Sequence, residues 1–354
     1  MSTSRSPAPA GLLLAALAAL AAGCGDHGGA PNAGGPLRAP AARDGIAIGT
    51  AVDETALAKS GGYRAELARE FSSVTPENAM KWASLEPERG RFEWGPADAV
   101  VSFARDHGMR VRGHTLVWYS QNPAWLEDGG FSRDELVRLM EDHIATVMGR
   151  YRGRVGAWDV VNEPIADGGE GLRDSLWSRT IGPGYIALAL RAARAADPGA
   201  RLFVNEIGAD GLGPKSDALY ALVKGLLADD VPLDGVGFQL HVNLDEGLPD
   251  GVRRNFERFA RLGLEVDVTE ADVAVRLPAT AGELRAQASV YRRMVEDCLA
   301  VPACRSFTVW GFTDRYSWIP SAEPGFGAAT LLDAELRPKP AYEAVARTLR
   351  NDSR

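Results

Sequence analysis

Short apolar runs, many of them rich in β-branched residues, alternate with longer amphipathic stretches along most of this chain. A short apolar run is typical of a buried strand, because a strand covered on both faces has no polar side. Eight such runs occur. They span residues 46–53, 71–80, 109–118, 156–163, 201–208, 235–242, 264–273 and 306–314.

The stretches between these runs predict helices. In residues 133–152, Leu136, Met140 and Ile144 recur at helical spacing, and Ser132 before them is a favourable helix N-cap. A strand and helix repeated eight times predict a closed (β/α)8 barrel, the TIM barrel, rather than an open sheet. We expect one domain of this kind over residues 45–350.

The start of the chain has a different pattern. Residues 1–24 combine Arg5, an apolar stretch from Gly11 to Ala22 and small residues, which is typical of an export signal. The stretch holds about a dozen apolar residues, whereas crossing a bilayer takes roughly 20. Its end resembles a bacterial lipoprotein signal with Cys24 as the candidate lipidation site, and secretion after cleavage nearby is the alternative.

Residues 25–44 are rich in Gly, Ala and Pro and carry no apolar periodicity. This composition predicts a flexible tether between the export signal and the barrel. A lipidated Cys24 would attach the protein to a membrane, at the bacterial cell surface or in the periplasm. Simple secretion would release it.

The remaining two cysteines, Cys298 and Cys304, lie close together on either side of a Pro-containing segment. In an exported protein such a pair predicts a disulfide, and two buried thiols are the alternative. Metal binding is not expected there, because no His or further Cys lies nearby in the sequence.

The charge balance limits the partners. The chain carries 47 acidic and 39 basic residues, a formal net charge of −8 at pH 7, and no sustained Lys or Arg run. A surface that follows nucleic-acid phosphates is therefore not expected, whereas a neutral polymer remains a suitable partner. We expect the protein to act as a monomer.

Polar and aromatic residues gather where the eight runs end. In a TIM barrel the carboxyl ends of all strands meet at one rim, and active sites are built there. The rim would combine paired carboxylates with amides, imidazoles and indole rings, which suits a carbohydrate site without metal or cofactor. The residues concerned are Glu77, Asn78, His114, Trp118, Asn162, Glu163, Glu206, Gln239, His241, Glu270, Asp272, Trp310 and Asp314.

Seven segments that carry these residues resemble the family 10 glycoside hydrolases, the (β/α)8 endo-1,4-β-xylanases. The resemblance covers nearly all of residues 45–347, with the segments in the family's order, and the cysteine pair also resembles a disulfide common in that family. The segments are TPENAMKW from Thr75, RGHTLVWYSQNPAWL from Arg112, WDVVNEP from Trp158, GVGFQLHV from Gly235, VTEAD from Val268, VWGFTDRYSW from Val309 and RPKPAY from Arg337.

The resemblance implies hydrolysis of internal β-1,4-xylosidic bonds of xylan by a retaining double displacement. Glu163 is implied as the acid/base and Glu270 as the nucleophile, with carboxyl groups about 5 Å apart. His241 is implied to donate to Glu270, and Asp272 to hold that imidazole. Asn162 is implied to contact the sugar 2-hydroxyl.

The resemblance also implies how xylan or xylo-oligosaccharides bind. Gln239 would contact the sugar at the cleavage point. Polar residues would grip the non-reducing side of the substrate, and indole rings would stack on the sugars. The polar residues are Glu77, Asn78, Lys81, His114 and Gln121, and the stacking residues are Trp118, Trp310 and Trp318.

Two departures from the family pattern concern the cleavage point. Tyr119 stands where a histidine commonly follows the tryptophan, so we expect altered sugar contacts there. Residues 205–208 read Asn, Glu, Ile, Gly where the family usually has NDYN. Ile207 stands where the family has an aromatic residue, and this loss predicts weaker binding on the leaving-group side.

Two other functions remain open at this point. A catalytically silent polysaccharide-binding barrel would have lost one of the two acids, yet both are present. The same chemistry could act on another β-1,4-glycan, cellulose or mixed-linkage glucan. The extra hydroxymethyl group of those sugars is excluded by the shape of a pocket rather than by motifs.

Overall fold

The computed structural model describes residues 35–351, and within them eight parallel strands close into a barrel. Consecutive barrel strands pair in parallel, and β9 pairs with both β8 and β1, which closes the ring. The predicted TIM barrel is therefore confirmed. The strands are β1 (Ala47–Val52), β2 (Ser73–Pro76), β3 (Arg110–Trp118), β4 (Ala157–Asn162), β5 (Arg201–Glu206), β6 (Gly235–Phe238), β7 (His241–Asn243), β8 (Glu265–Arg276), β9 (Cys304–Val309) and β10 (Phe326–Gly327).

Helices connect the barrel strands, as the amphipathic stretches predict. The long helix over residues 133–151 is capped by Ser132, which forms a capping box with Glu135, and it buries Leu136, Met140 and Ile144. The α-helices are α1 (Arg38–Arg43), α2 (Glu54–Lys59), α3 (Gly61–Glu70), α4 (Trp82–Leu85), α5 (Gly95–Asp106), α6 (Ala124–Glu127), α7 (Arg133–Tyr151), α8 (Leu176–Thr180), α9 (Tyr185–Ala196), α10 (Pro214–Ala228), α11 (Val252–Ala260), α12 (Ala281–Leu299), α13 (Ile319–Ala322) and α14 (Pro340–Arg350).

The apolar core lies between the strands and the surrounding helices, and the barrel interior also holds a charged cluster. Arg112 Nε donates to Asp159 Oδ1 at 3.0 Å, and its Nη1 donates to Asp267 Oδ2 at 3.0 Å. All three side chains are buried. Because an isolated buried charge is costly, such a cluster persists only when its members neutralise one another. It forms a fixed layer beneath the rim.

The sixth apolar run, residues 235–242, forms two strands rather than one. β6 ends at Phe238 and β7 starts at His241. Between them Leu240 adopts a left-handed φ of 58°, which is uncommon for a residue other than Gly. Its amide donates to the buried carboxylate of Asp210 at 3.0 Å. The break places Gln239 and His241 at the rim next to different acids.

The prediction of a flexible tether over residues 25–44 is wrong for its last residues. Residues 38–43 form α1, and the side chains of Leu37 and Ala41 are buried against the barrel. The Leu37 amide donates to Glu70 Oε2 at 2.8 Å. Apolar burial and this hydrogen bond therefore fix a segment whose composition alone predicts flexibility.

The predicted export signal, Cys24 and residues 25–34 of the tether lie outside the described residues. Within residues 35–351, no helix combines the length and the apolar character that crossing a bilayer requires.

The predicted disulfide is confirmed. Cys298 near the end of α12 and Cys304 at the start of β9 are joined with an S–S distance of 2.00 Å. The bond ties the last helix-to-strand connection of the barrel.

Candidate active site

A cleft of about 290 Å³ opens at the carboxyl ends of the barrel strands. Most of the predicted site residues line it, whereas Glu77, Asn78 and Asp272 do not. Tyr119, Ser120 and Ile207 also line the cleft. The predicted residues brought together there are Lys81, His114, Trp118, Gln121, Asn162, Glu163, Gln239, His241, Glu270, Trp310 and Trp318.

Glu163 follows the last residue of β4 and is 7% exposed. It adopts a left-handed φ of 54°, and its amide donates to the Asn205 carbonyl at 2.8 Å. Its Oε1 accepts hydrogen bonds from Asn162 Nδ2 at 3.0 Å and Gln239 Nε2 at 2.9 Å. Two amide donors therefore hold one oxygen and leave Oε2 for a proton or a substrate.

Glu270 lies within β8 and is buried in the wall of the cleft. Its Oε1 accepts a hydrogen bond from Asn205 Nδ2 at 2.6 Å, and its Oε2 lies 3.3 Å from His241 Nε2. Burial acts to raise the pKa of this carboxyl, but His114 and the hydrogen bond from His241 outweigh it. The net result is a pKa below the ordinary value, so Glu270 stays ionised.

His241 connects Glu270 to a second carboxylate. Its Nδ1 lies 2.9 Å from Asp272 Oδ1, and Asp272 Oδ2 accepts a hydrogen bond from Trp318 Nε1 at 2.8 Å. Burial acts to lower the pKa of His241, but Asp272 and Glu270 raise it to about 10. The imidazole is therefore a cation at neutral pH, with one N–H directed at each carboxylate.

Asn205 links the two acids and is absent from the predicted site. Its Nδ2 donates to Asn162 Oδ1 at 2.8 Å as well as to Glu270, and its Oδ1 accepts from Thr269 Oγ1 at 2.7 Å. One chain of amides thus runs from Glu163 to Glu270. The sequence signal that could have identified Asn205 is an Asn near the end of an apolar run. Pairing of β4 with β5 places this Asn beside Asn162.

His114 is held in place by the charged cluster inside the barrel, through Asp159. Its Nδ1 lies 3.0 Å from Asp159 Oδ2, and Asp159 is held in turn by Arg112. The same nitrogen lies 4.0 Å from Glu270 Oε1. The charged cluster therefore positions the His114 imidazole beside Glu270, where it favours the ionised form of that carboxyl.

Two of the residues predicted to grip the non-reducing side, Lys81 and Asn78, are in contact. The Lys81 ammonium donates to Asn78 Oδ1 at 3.0 Å and lies 5.0 Å from the Trp118 ring centre. Burial lowers the pKa of Lys81, and burial together with Glu54 raises the pKa of Glu77 to about 7. Lys81 and Trp118 line the cleft, and Asn78 accepts a hydrogen bond from the ammonium.

The two predicted stacking residues after β9 differ in exposure. Trp310 is only 6% exposed, and its ring packs edge-on against His114 with centroids 5.2 Å apart. Trp318 is half-buried, and its ring lies 4.9 Å from that of His241. Trp310 thus forms the floor of the cleft, and Trp318 forms a wall.

Glu206 ends β5 but does not line the cleft. Its Oε2 accepts a hydrogen bond from the Ile165 amide at 2.9 Å, and its Oε1 lies 3.2 Å from Lys215 Nζ. Burial raises its pKa to about 8, against the opposing effect of Lys215. Glu206 therefore supports the loops after β4 and β5 rather than facing a substrate.

The profile of glycosyl hydrolase family 10 matches residues 36–348. Endo-1,4-beta-xylanase B of Thermotoga neapolitana is 43% identical over 335 residues, which cover 94% of this chain and 96% of that protein. An endo-1,4-beta-xylanase of Agaricus bisporus is 41% identical, covering 84% of this chain and 89% of that protein.

Two solved structures have the same fold. Native xylanase 10B from Thermotoga maritima has a TM-score of 0.87 and 42% identity, covering 90% of this chain and 98% of that one. Xylanase 10B from Thermotoga petrophila RKU-1 in complex with xylobiose has a TM-score of 0.87 and 41% identity, covering 92% and 100%. Profile, relatives and fold agree, and the chain belongs to glycosyl hydrolase family 10.

Proposed function

We propose that this protein is an endo-1,4-β-xylanase that hydrolyses internal bonds of xylan with retention of configuration. The observation that carries the proposal is the amide chain holding Glu163 and Glu270 at one cleft, with only Glu270 bound to a cationic imidazole. Two carboxyls in different environments are what a retaining glycosidase requires. The xylanase names of the relatives support xylan as the polymer.

In the first displacement, Glu163 protonates the glycosidic oxygen while the Glu270 carboxylate attacks the anomeric carbon. The bond to the leaving sugar breaks, and an ester forms between the sugar and Glu270. His241 and Asn205 each direct an N–H at the attacking carboxylate, so it is aimed before the substrate arrives. Asn162 is assigned to the sugar 2-hydroxyl, a contact that strengthens in the transition state.

In the second displacement, Glu163 is ionised and takes a proton from water. The water oxygen attacks the anomeric carbon, the ester bond breaks, and the Glu270 carboxylate is restored. The charge on Glu270 disappears in the ester and returns at this step. The His241 cation is placed to stabilise that returning charge.

The remaining cleft residues are assigned to binding xylan or xylo-oligosaccharides. Lys81, His114 and Gln121 supply polar contacts on the non-reducing side, with Glu77 and Asn78 supporting Lys81. Stacking is assigned to Trp118 and Trp318, with Trp310 as the floor, and Gln239 contacts the sugar at the cleavage point. The proposed enzyme acts as a monomer without a cofactor.

Release of reducing sugar from xylan and from carboxymethylcellulose tests the function. We expect release from xylan and little from carboxymethylcellulose, with a Glu163→Ala/Glu270→Ala double variant as the blank. Comparable release from both polymers would change the proposed substrate to a broader class of β-1,4-glycans. Release from neither would leave a polysaccharide-binding barrel.

A pH profile tests the role of His241. Replacing His241 with glutamine removes the cation that favours ionised Glu270, so the pKa of Glu270 rises. Because the nucleophile must be ionised, the acidic limb of kcat/KM moves to higher pH, and the optimum rate falls about tenfold or more. His107→Gln, at an exposed histidine beyond α5, is the matched control. An unmoved acidic limb would rule out this role.

The protein is also proposed to be exported and held at a membrane through a lipid on Cys24, with simple secretion as the alternative. The support is the composition of residues 1–24. In a bacterial host, Cys24→Ala should move the protein from the membrane fraction to the soluble fraction. An unaltered distribution would favour simple secretion.

A further inference from the structure

An exposed aromatic ring lies next to the proposed acid/base. Tyr119 directly follows β3, is 39% exposed and lines the cleft together with Glu163 and Ile207. Large rings exposed in a concave site commonly bind apolar ligand faces. The family usually has a histidine at this position, so the ring is a feature of this chain.

Arg173 fixes the Tyr119 ring. Its guanidinium lies 4.4 Å from the ring centre, its Nε donates to the Glu163 carbonyl at 3.2 Å, and its Nη1 donates to Asp167 Oδ2 at 3.1 Å. The Arg173 side chain is only 14% exposed. The hydrogen bonds from Nε and Nη1 hold this planar cation in place. It covers one face of the ring and ties the ring's position to the backbone of Glu163.

Ion pairs of Lys215 hold Asp167, the partner of Arg173, in place. Lys215 Nζ donates to Asp167 Oδ1 at 3.1 Å and lies 3.2 Å from Glu206 Oε1. The network therefore joins the loop after β3 to the loops after β4 and β5. A ring supported in this way loses little conformational freedom when a ligand binds.

The Tyr119 ring lies beside Trp118, with ring centroids 5.7 Å apart, but its charged neighbours belong to other loops. The charged groups that act on the Tyr119 hydroxyl are Glu163, Arg173, Asp167 and Glu206. All four follow or end β4 and β5, whereas Lys81 and Asn78 follow β2. Tyr119 thus lies on the β4–β5 side of the cleft, next to the group that protonates the leaving oxygen.

We infer that Tyr119, held by Arg173, is the stacking surface for the sugar that leaves. The inference rests on the proposed function, in which the departing sugar lies against Glu163. Ile207 lines the same side of the cleft, where the family usually supplies an aromatic residue from the loop after β5. The ring of Tyr119 supplies that surface from the loop after β3.

Two substrates separate this role from catalysis. Hydrolysis of xylotetraose places a sugar on the leaving-group side, whereas hydrolysis of p-nitrophenyl β-xylobioside places only a nitrophenolate there. We expect Tyr119→Ala to lower kcat/KM for xylotetraose about tenfold, since one aromatic contact contributes about that factor. The loss on the nitrophenyl substrate should be several-fold smaller, and Tyr119→Phe should recover most of the xylotetraose activity.

Tyr220→Ala is the matched control, because Tyr220 lies in α10 against Phe259 and outside the cleft. Equal losses on both substrates in Tyr119→Ala would overturn the inference, and so would parental kinetics on xylotetraose. If the unaltered protein hydrolysed neither substrate, the proposed function itself would be wrong. Failure of the inference and failure of the function are thus distinguishable.

A double-mutant cycle tests Arg173 as the positioning residue. Arg173→Met removes the cation and its hydrogen bonds but keeps an unbranched side chain. If Arg173 acts through the Tyr119 ring, adding Tyr119→Ala to Arg173→Met should cause little further loss on xylotetraose. Independent, multiplying losses would mean that Arg173 does not position the ring.

Discussion

Replacing Glu270 with glycine lowers the turnover of xylo-oligosaccharides by about 10⁴-fold or more, because the covalent route disappears. The remaining donors, His241 and Asn205, have no carboxylate to aim. Turnover is measured with an aryl β-xylobioside, and the phenolate that it releases is followed by absorbance. A loss of less than about 100-fold would mean that Glu270 is not the nucleophile.

Azide identifies the face on which Glu270 acts. In Glu270→Gly, azide enters the space left by the side chain and attacks the anomeric carbon once, so the product is an α-glycosyl azide. Its configuration is read from the anomeric proton coupling. Glu270→Gln is the matched control, since its amide fills the space and should resist rescue. A β-glycosyl azide from Glu270→Gly would reverse the roles of the two glutamates.

Much of the fold could be predicted because the buried strands of a barrel appear in the sequence as short apolar runs. Strands covered on both faces must be apolar, and each of the six residues of β1 is buried. The break at Leu240 could not be predicted in this way. It depends on a hydrogen bond from the Leu240 amide to Asp210, a residue of the loop after β5. Periodicity reports burial, and it does not report which distant carboxylate meets an amide.

Helix α1 illustrates the same limit. Its six residues are all Ala, Arg or Pro, and a helix this short is marginal on its own, so composition does not separate it from a tether. Its order comes from burial of Leu37 and Ala41 and from the bond to Glu70, which lies 33 positions away in the sequence. Short segments fixed by tertiary contacts carry little local signal.

The candidate site was predictable where a residue's position in its strand determines its direction. Glu163, Glu270 and His241 lie near the ends of apolar runs, and the barrel brings them to one rim. Asn205 and Arg173 were missed because their importance lies in what they contact. An Asn between two acids and an Arg over a Tyr ring are recognised only once the strands and loops are in register.

Replacing Glu163 with alanine produces a loss that depends on the leaving group. Xylan and xylo-oligosaccharides need protonation of the departing oxygen, so their kcat/KM falls about 10² to 10⁴-fold. With a 2,4-dinitrophenyl β-xylobioside, dinitrophenolate departs without a proton, so the xylobiosyl ester with Glu270 still forms. Because water then lacks its base, the ester accumulates, which appears as a burst of dinitrophenolate followed by slow turnover.

A second carboxyl nearby makes this test discriminating. Burial raises the pKa of Glu206 to about 8, which makes this carboxyl a second candidate proton donor near the cleft. Its oxygens, however, face the Ile165 amide and Lys215 instead of the cleft. Glu206→Gln should therefore affect good and poor leaving groups alike, without a burst. Leaving-group dependence in Glu206→Gln, and its absence in Glu163→Ala, would transfer the acid role to Glu206.

Azide completes the comparison for Glu163. In Glu163→Ala, azide attacks the ester with Glu270 from the face that water would use. Two inversions then give a β-glycosyl azide, the opposite configuration to that expected from Glu270→Gly. Opposite products from the two variants require two carboxyls on opposite faces of the sugar ring, which is the geometry of a retaining double displacement. The same product from both variants would contradict that geometry.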